Sequence, residues 1–154
     1  MREVIEVEVS SSDVAIEPGK TAQLDITITN RQDIEDNIAI EIEGIDVEWY
    51  ALPVPSVTIQ PGESRTARVL FRVGRSSDVA AGTYPFLVRA RGMESGETGV
   101  QPATLTVRPF SALQLELEPK RATSTLFYRA PVFDVRITNL GNREETLDLF
   151  AGDD

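Results

Sequence analysis

The sequence predicts an all-β protein: a two-sheet antiparallel β-sandwich followed by the first three strands of a second, incomplete copy. Three observations carry this. First, Leu24-Asp25-Ile26-Thr27-Ile28-Thr29-Asn30 alternates strictly, apolar on one face and polar on the other, which is the period of a strand with one buried face. Second, turn signals recur roughly every 8–15 residues between such runs, and no helical periodicity interrupts them. Third, Phe133-Asp134-Val135-Arg136-Ile137-Thr138-Asn139 repeats the first stretch 109 residues later, so one β-rich unit ends and another begins.

In chain order, Val4 to Val9 reads as a strand, and Val14-Ala15-Ile16 follows a polar break at Ser10 to Asp13. Together they form one edge strand split by a kink, a way to blunt an exposed edge. Pro18-Gly19 makes a turn, with proline presetting φ and glycine supplying the positive φ of a type II turn. The strand beginning near Thr21 ends at Asn30. A polar loop from Arg31 to Asn37 leads into Ile38 to Glu43, with the isoleucines inward and Glu41 and Glu43 outward.

Gly44 to Tyr50 turns the chain, and Pro53 and Pro55 exclude a paired central strand there. Val57-Thr58-Ile59 enters a second Pro-Gly turn, Ile59 to Ser64, of the same form as Ile16 to Thr21. The next strand places Ala67, Val69, Phe71 and Val73 inward, and Tyr84 to Arg91 and Thr104 to Val107 complete the unit around a turn from Met93 to Gly99. The third and sixth strands are expected to be neighbours, setting Glu41 and Glu43 against Arg89 and Arg91. Gly82-Thr83-Tyr84-Pro85-Phe86 has the spacing of a tyrosine corner, whose hydroxyl bonds backbone a few residues upstream, near Asp78 to Ala80.

The expected organisation is therefore one domain over residues 1–108, a short linker over 109–112 stiffened by Pro109, and a partial second domain over 113–154. In the second copy, Leu115-Glu116-Leu117-Glu118-Pro119 echoes Val14-Ala15-Ile16-Glu17-Pro18. Phe133 to Asn139 and Thr146 to Phe150 repeat the second and third strands, and about four more are due after Asp154.

Composition narrows the chemistry. With 15 Lys+Arg against 25 Asp+Glu, a net charge of −10 disfavours nucleic acid and anionic membranes. The absence of cysteine excludes disulfides, thiolate zinc sites and a Cys nucleophile, and the absence of histidine removes the usual general base. No segment has the apolar length of a membrane span or the core of a signal peptide, so the expected location is cytoplasmic if Met1 is the native start and secreted or cell-surface if the chain is an excised fragment.

Each candidate site has a plainer reading. Gly19-Lys20-Thr21 looks like the end of a phosphate-binding loop, but Val14 stands where its first glycine belongs and a strand follows. Asp33, Glu35 and Asp36 share one loop, yet lack the glycine and distal glutamate of a calcium loop and read as a solvated acidic cluster. Trp49 and Tyr50 form an aromatic platform or, as favoured here, a plug for one end of the core. No catalytic, cofactor-binding or metal-binding residue is assigned, and no cofactor is expected.

Pro18-Gly19, Thr29-Asn30, Trp49, Pro61-Gly62-Glu63 and Ala81-Gly82-Thr83-Tyr84 resemble the bacterial immunoglobulin-like domains associated with α-galactosidases. Their order is similar to that in tandem domains of multidomain bacterial proteins labelled "hydrolytic protein". Pro109-Phe110 and Asn139-Leu140-Gly141-Asn142 are particularly alike. The resemblance implies an immunoglobulin-like sandwich serving as a non-catalytic spacer, stalk or presenting module, with a carbohydrate-binding accessory module as the alternative. Implied partners are neighbouring domains or another protein at exposed strand edges, and residues 111–154 are expected either to self-associate or to lie loosely ordered against the first domain.

Overall fold

The computed structural model describes residues 3–118 and 133–150. Residues 5–107 form a sandwich built from nine strands: β1 (Ile5–Val9), β2 (Asp13–Ile16), β3 (Thr21–Asn30), β4 (Asp36–Glu43), β5 (Tyr50–Ala51), β6 (Ser56–Ile59), β7 (Ser64–Arg72), β8 (Gly82–Gly92) and β9 (Thr98–Val107). One sheet runs β1-β3-β7-β5 and the other β2-β9-β8-β4-β6. Two further strands, β10 (Leu113–Glu118) and β11 (Asp134–Asn139), form an antiparallel ribbon that among the described residues pairs with no other strand.

Alternation decides which side chains meet between the sheets. Leu24, Ile26 and Ile28 of β3 and Val69 and Phe71 of β7 face Ile38 and Ile40 of β4, Phe86 and Val88 of β8 and Leu105 of β9 in one buried cluster. Phe71 and Phe86 come from opposite sheets and meet at a 5.4 Å centroid distance. Complete removal of such side chains from water is the main stabilising term, at about 1.5–3 kcal/mol each.

The kink between β1 and β2 does more than blunt an edge. β1 pairs antiparallel with β3, whereas β2 crosses to the other sheet and pairs parallel with β9, so the sandwich has one parallel ladder where an antiparallel one was expected. Both Pro-Gly turns form as expected. Lys20 N donates to Glu17 O and Glu63 N to Gln60 O, with Gly19 and Gly62 at φ 86° and 77°. The Gly44–Tyr50 turn contains a short 3-10 helix, Val47–Trp49, capped by the Asp46 carboxylate on Glu48 N.

β10 opposes β11 with Leu113 against Asn139 and Leu115 against Ile137, as β1 opposes β3 with Ile5 against Asn30 and Val7 against Ile28. One expectation for the second copy is corrected. Residues 146–150 form no strand. The physical reason lies in the sandwich: the corresponding strand, β4, sits in the sheet opposite β3 and is laddered to β6 and β8. No described residue of the ribbon supplies such partners, so Leu147, Leu149 and Phe150 lie exposed.

Candidate interaction surfaces

The acidic loop separates into two kinds of residue. Asp33 and Glu35 are exposed, and the Glu35 carboxylate takes a hydrogen bond from Gln60 Nε2. Asp36 is corrected from a solvated residue to a buried one, only 1% exposed at the start of β4. Its carboxylate accepts from Ser95 Oγ at 2.6 Å, Glu94 N at 2.9 Å, Gln32 Nε2 at 3.0 Å and Ser95 N at 3.4 Å. Burial raises its pKa, but the four donors outweigh burial and hold it below the usual aspartate value. Gly92 leaves room for this carboxylate, since a Cβ there would collide with it. Asp36 thus pins the β8–β9 hairpin. Among the described residues no group of three or more carboxylates is placed to hold a metal.

Trp49 and Tyr50 pack against the end of the core. The Trp49 ring meets Tyr84 edge-on at 5.0 Å, and Tyr50 Oη donates to Ile42 O at 3.3 Å. Tyr84 Oη donates to Ala80 O at 2.5 Å, which is the expected tyrosine corner. Glu41 lies directly opposite Arg89, and Arg89 closes diagonally on Glu43 at 3.1 Å, while Arg91 faces Ala39. That half-exposed ion pair is worth about 0.2–1 kcal/mol, and it helps hold register.

Two surfaces stand apart. On the ribbon, Leu113, Leu115 and Leu117 share a face with Val135 and Ile137, and this apolar face has no opposing sheet among the described residues. Gln114, Glu116, Glu118, Asp134 and Arg136 occupy the other face.

The second surface is the joint, which sequence reasoning treated only as a short linker. Asn142 is 4% exposed and grips the backbone on both sides of Pro109: its Nδ2 donates to Arg108 O at 2.9 Å and its Oδ1 accepts from Phe110 N at 2.8 Å. Leu140 N donates to Ala112 O at 2.7 Å, Asn142 N to Phe110 O at 3.4 Å, and Ala81 N to Asn142 O at 2.8 Å. Ser111 Oγ donates to Glu145 Oε1 at 2.6 Å, and Arg143 reaches both residues. These donors, Ser111 first, hold the Glu145 pKa below the ordinary glutamate value. The available signal was Asn139-Leu140-Gly141-Asn142, where two asparagines flank a glycine in a chain otherwise rich in charge.

The loop also repeats a local device. Asn30 Oδ1 accepts from Gln32 N and Asn30 Nδ2 donates to Ile34 O; Asn139 Oδ1 accepts from Gly141 N and Asn139 Nδ2 donates to Arg143 O. The spacing, two and four residues onward, is identical.

No family model and no curated protein matches the chain. Solved structures do. A FixG-related protein from Vibrio parahaemolyticus superposes with a TM-score of 0.55 at 7% identity, over 70% of this chain and 99% of that one. A mutant SrpA adhesin from Streptococcus sanguinis gives 0.51 at 13% identity, over 70% of this chain and 60% of that one. A Salmonella alpha-2-macroglobulin reacted with methylamine gives 0.51 at 14% identity, over 74% of this chain but only 8% of its own length. These likenesses show the fold: the chain contains an all-β, immunoglobulin-like sandwich. No described helix is long and apolar enough to cross a membrane.

Proposed function

We propose that this chain is a non-catalytic structural and interaction module, a spacer or presenting domain in a tandem immunoglobulin-like array of a larger bacterial protein. Residues 1–108 form one domain of the α-galactosidase-associated type, 109–112 its linker, and 113–154 the beginning of a second. The observation that carries the reading is the repeated asparagine loop. A strand ending in Asn30 within a closed sandwich recurs as a strand ending in Asn139, with the same side-chain bonds, on a ribbon whose apolar face lacks a cover among the described residues.

The carbohydrate-binding alternative has weaker support. Trp49 and Tyr50 do line a shallow depression with Leu70 and Arg72, but Trp49 is committed to Tyr84 and Tyr50 to Ile42 O.

Light scattering across a concentration series tests the array reading. A chain of residues 1–154 should self-associate through the open ribbon face, whereas one ending at Arg108 should stay monomeric and at least as stable. A full chain that remains monomeric, with residues 113–150 protected from hydrogen exchange, would close the ribbon on itself and overturn the reading.

A further inference from the structure

The joint carries an inference about how neighbouring units are held. We infer that Leu140-Gly141-Asn142 is an interdomain clamp that docks on the end of the sandwich and sets one orientation between sandwich and ribbon. The partner of this sandwich surface is the asparagine loop of the unit that follows it. The clamp would make an array stiff, which the spacer role alone does not require.

Three anchors on the sandwich make the argument. Arg108 is tied to it by its own N–H, which donates to Ile16 O at 2.9 Å, and its carbonyl receives Asn142 Nδ2. Ala81, next to the residue held by the tyrosine corner, donates to Asn142 O. Arg75, following β7, lies over the Phe110 ring at 4.4 Å. A single anchor permits swivelling and two permit hinging, but three separated anchors leave no free rotation. Pro109 adds stiffness, because its φ is fixed and the two bonds of the Asn142 amide straddle it.

The clamp also has a size requirement. A Cβ at Gly141 would come within 2.5 Å of Phe110 O and 3.2 Å of Ala112 N, so a side chain there pushes the loop off the linker. Removing the Asn142 amide takes away the side-chain partner of both Phe110 N and Arg108 O. The first copy lacks this equipment. At the corresponding positions stand Gln32, whose amide serves Asp36, and the exposed Asp33, which has no amide donor. The clamp therefore has a direction, with each sandwich end receiving the unit that follows.

The test uses the full chain, which has no native cysteine, so spin labels at Thr58→Cys on β6 and Thr138→Cys on β11 are unambiguous. Pulsed electron paramagnetic resonance, with labelled chain diluted into unlabelled chain, should give one narrow distance distribution. Asn142→Ala and Gly141→Val should each broaden it while the urea midpoint reported by Trp49 stays unchanged. Should either variant also shift that midpoint, exposed Arg75→Ala removes one anchor and must still broaden the distribution. A broad distribution in the unsubstituted chain, or a narrow one in all three variants, overturns the clamp. A flexible joint would leave the tandem reading standing, since light scattering tests that reading separately.

Discussion

The strand β3 and its repeat β11 have the same pattern and opposite environments. In β3, Leu24, Ile26 and Ile28 are at most 1% exposed; in the repeat, Phe133 is 39% and Val135 46% exposed. Both end in an asparagine that braces the next turn, yet Asn30 is wholly buried and adds a third bond, Nδ2 to Ile59 O at 2.9 Å, while Asn139 lies at the surface. Alternation thus specifies which face of a strand is apolar. Burial of that face depends on a second sheet, which β3 has and β11 lacks among the described residues.

The largest effect that sharpens this contrast is in the core. Leu24→Ala should destabilise the sandwich by about 2–5 kcal/mol, through lost transfer energy and a cavity. Val135→Ala, at the position matching Ile26, should leave the sandwich within about 0.5 kcal/mol of the parent. Urea unfolding followed by Trp49 fluorescence separates the two, and equal losses would mean the ribbon contributes to the sandwich core.

The asparagines give the next comparison. Asn30→Ala removes the side-chain partner of the backbone at Gln32, Ile34 and Ile59, the last of these bonds buried, and should cost about 1–3 kcal/mol. Asn139→Ala should leave the same urea midpoint unmoved. A shared loss would make both loops part of one cooperative unit.

Asp36 provides a pH signature confined to the sandwich. Its folded-state pKa lies below the ordinary 3.8, so on acidification the unfolded chain takes up this proton first. Its stabilising contribution is complete above the unfolded value and is lost as pH falls through the folded one. Asp36→Asn should reduce the loss of stability below about pH 4, and it should lower stability at neutral pH because one acceptor oxygen becomes a donor facing other donors. Urea midpoints measured from pH 7 downward check this; parallel curves for parent and variant would remove Asp36 as the cause.

The smallest effect is at the corner beside the joint. The hydroxyl of Tyr84 bonds Ala80 O at an exposed site, so Tyr84→Phe should cost only about 0.5–1.5 kcal/mol in urea. An unchanged midpoint would show that the bond adds no net stability.

Much of the fold was legible because two-residue periodicity and Pro-Gly turns act locally. The inward faces of β3, β4, β7 and β8, both type II turns and the bond from Tyr84 to the chain upstream all followed from short stretches. Sheet membership did not, because it is set by partners distant in sequence. That is why β2 was not seen to cross to β9, and why Thr146 to Phe150, apolar and alternating, was expected to be a strand.

Side-chain polarity, strand phase and turn geometry were therefore determined by the sequence itself, since each depends on covalent stereochemistry and near neighbours. The tertiary structure alone decided that Asp36 is buried and that Asn142 grips the linker. A polar group is stable inside a protein only when its donors and acceptors are met, and those of Asp36 come mostly from residues 94 and 95, with Gln32 nearby in sequence, while those of Asn142 come from residues 81, 108 and 110. No local pattern encodes such meetings; the folded backbone brings them about.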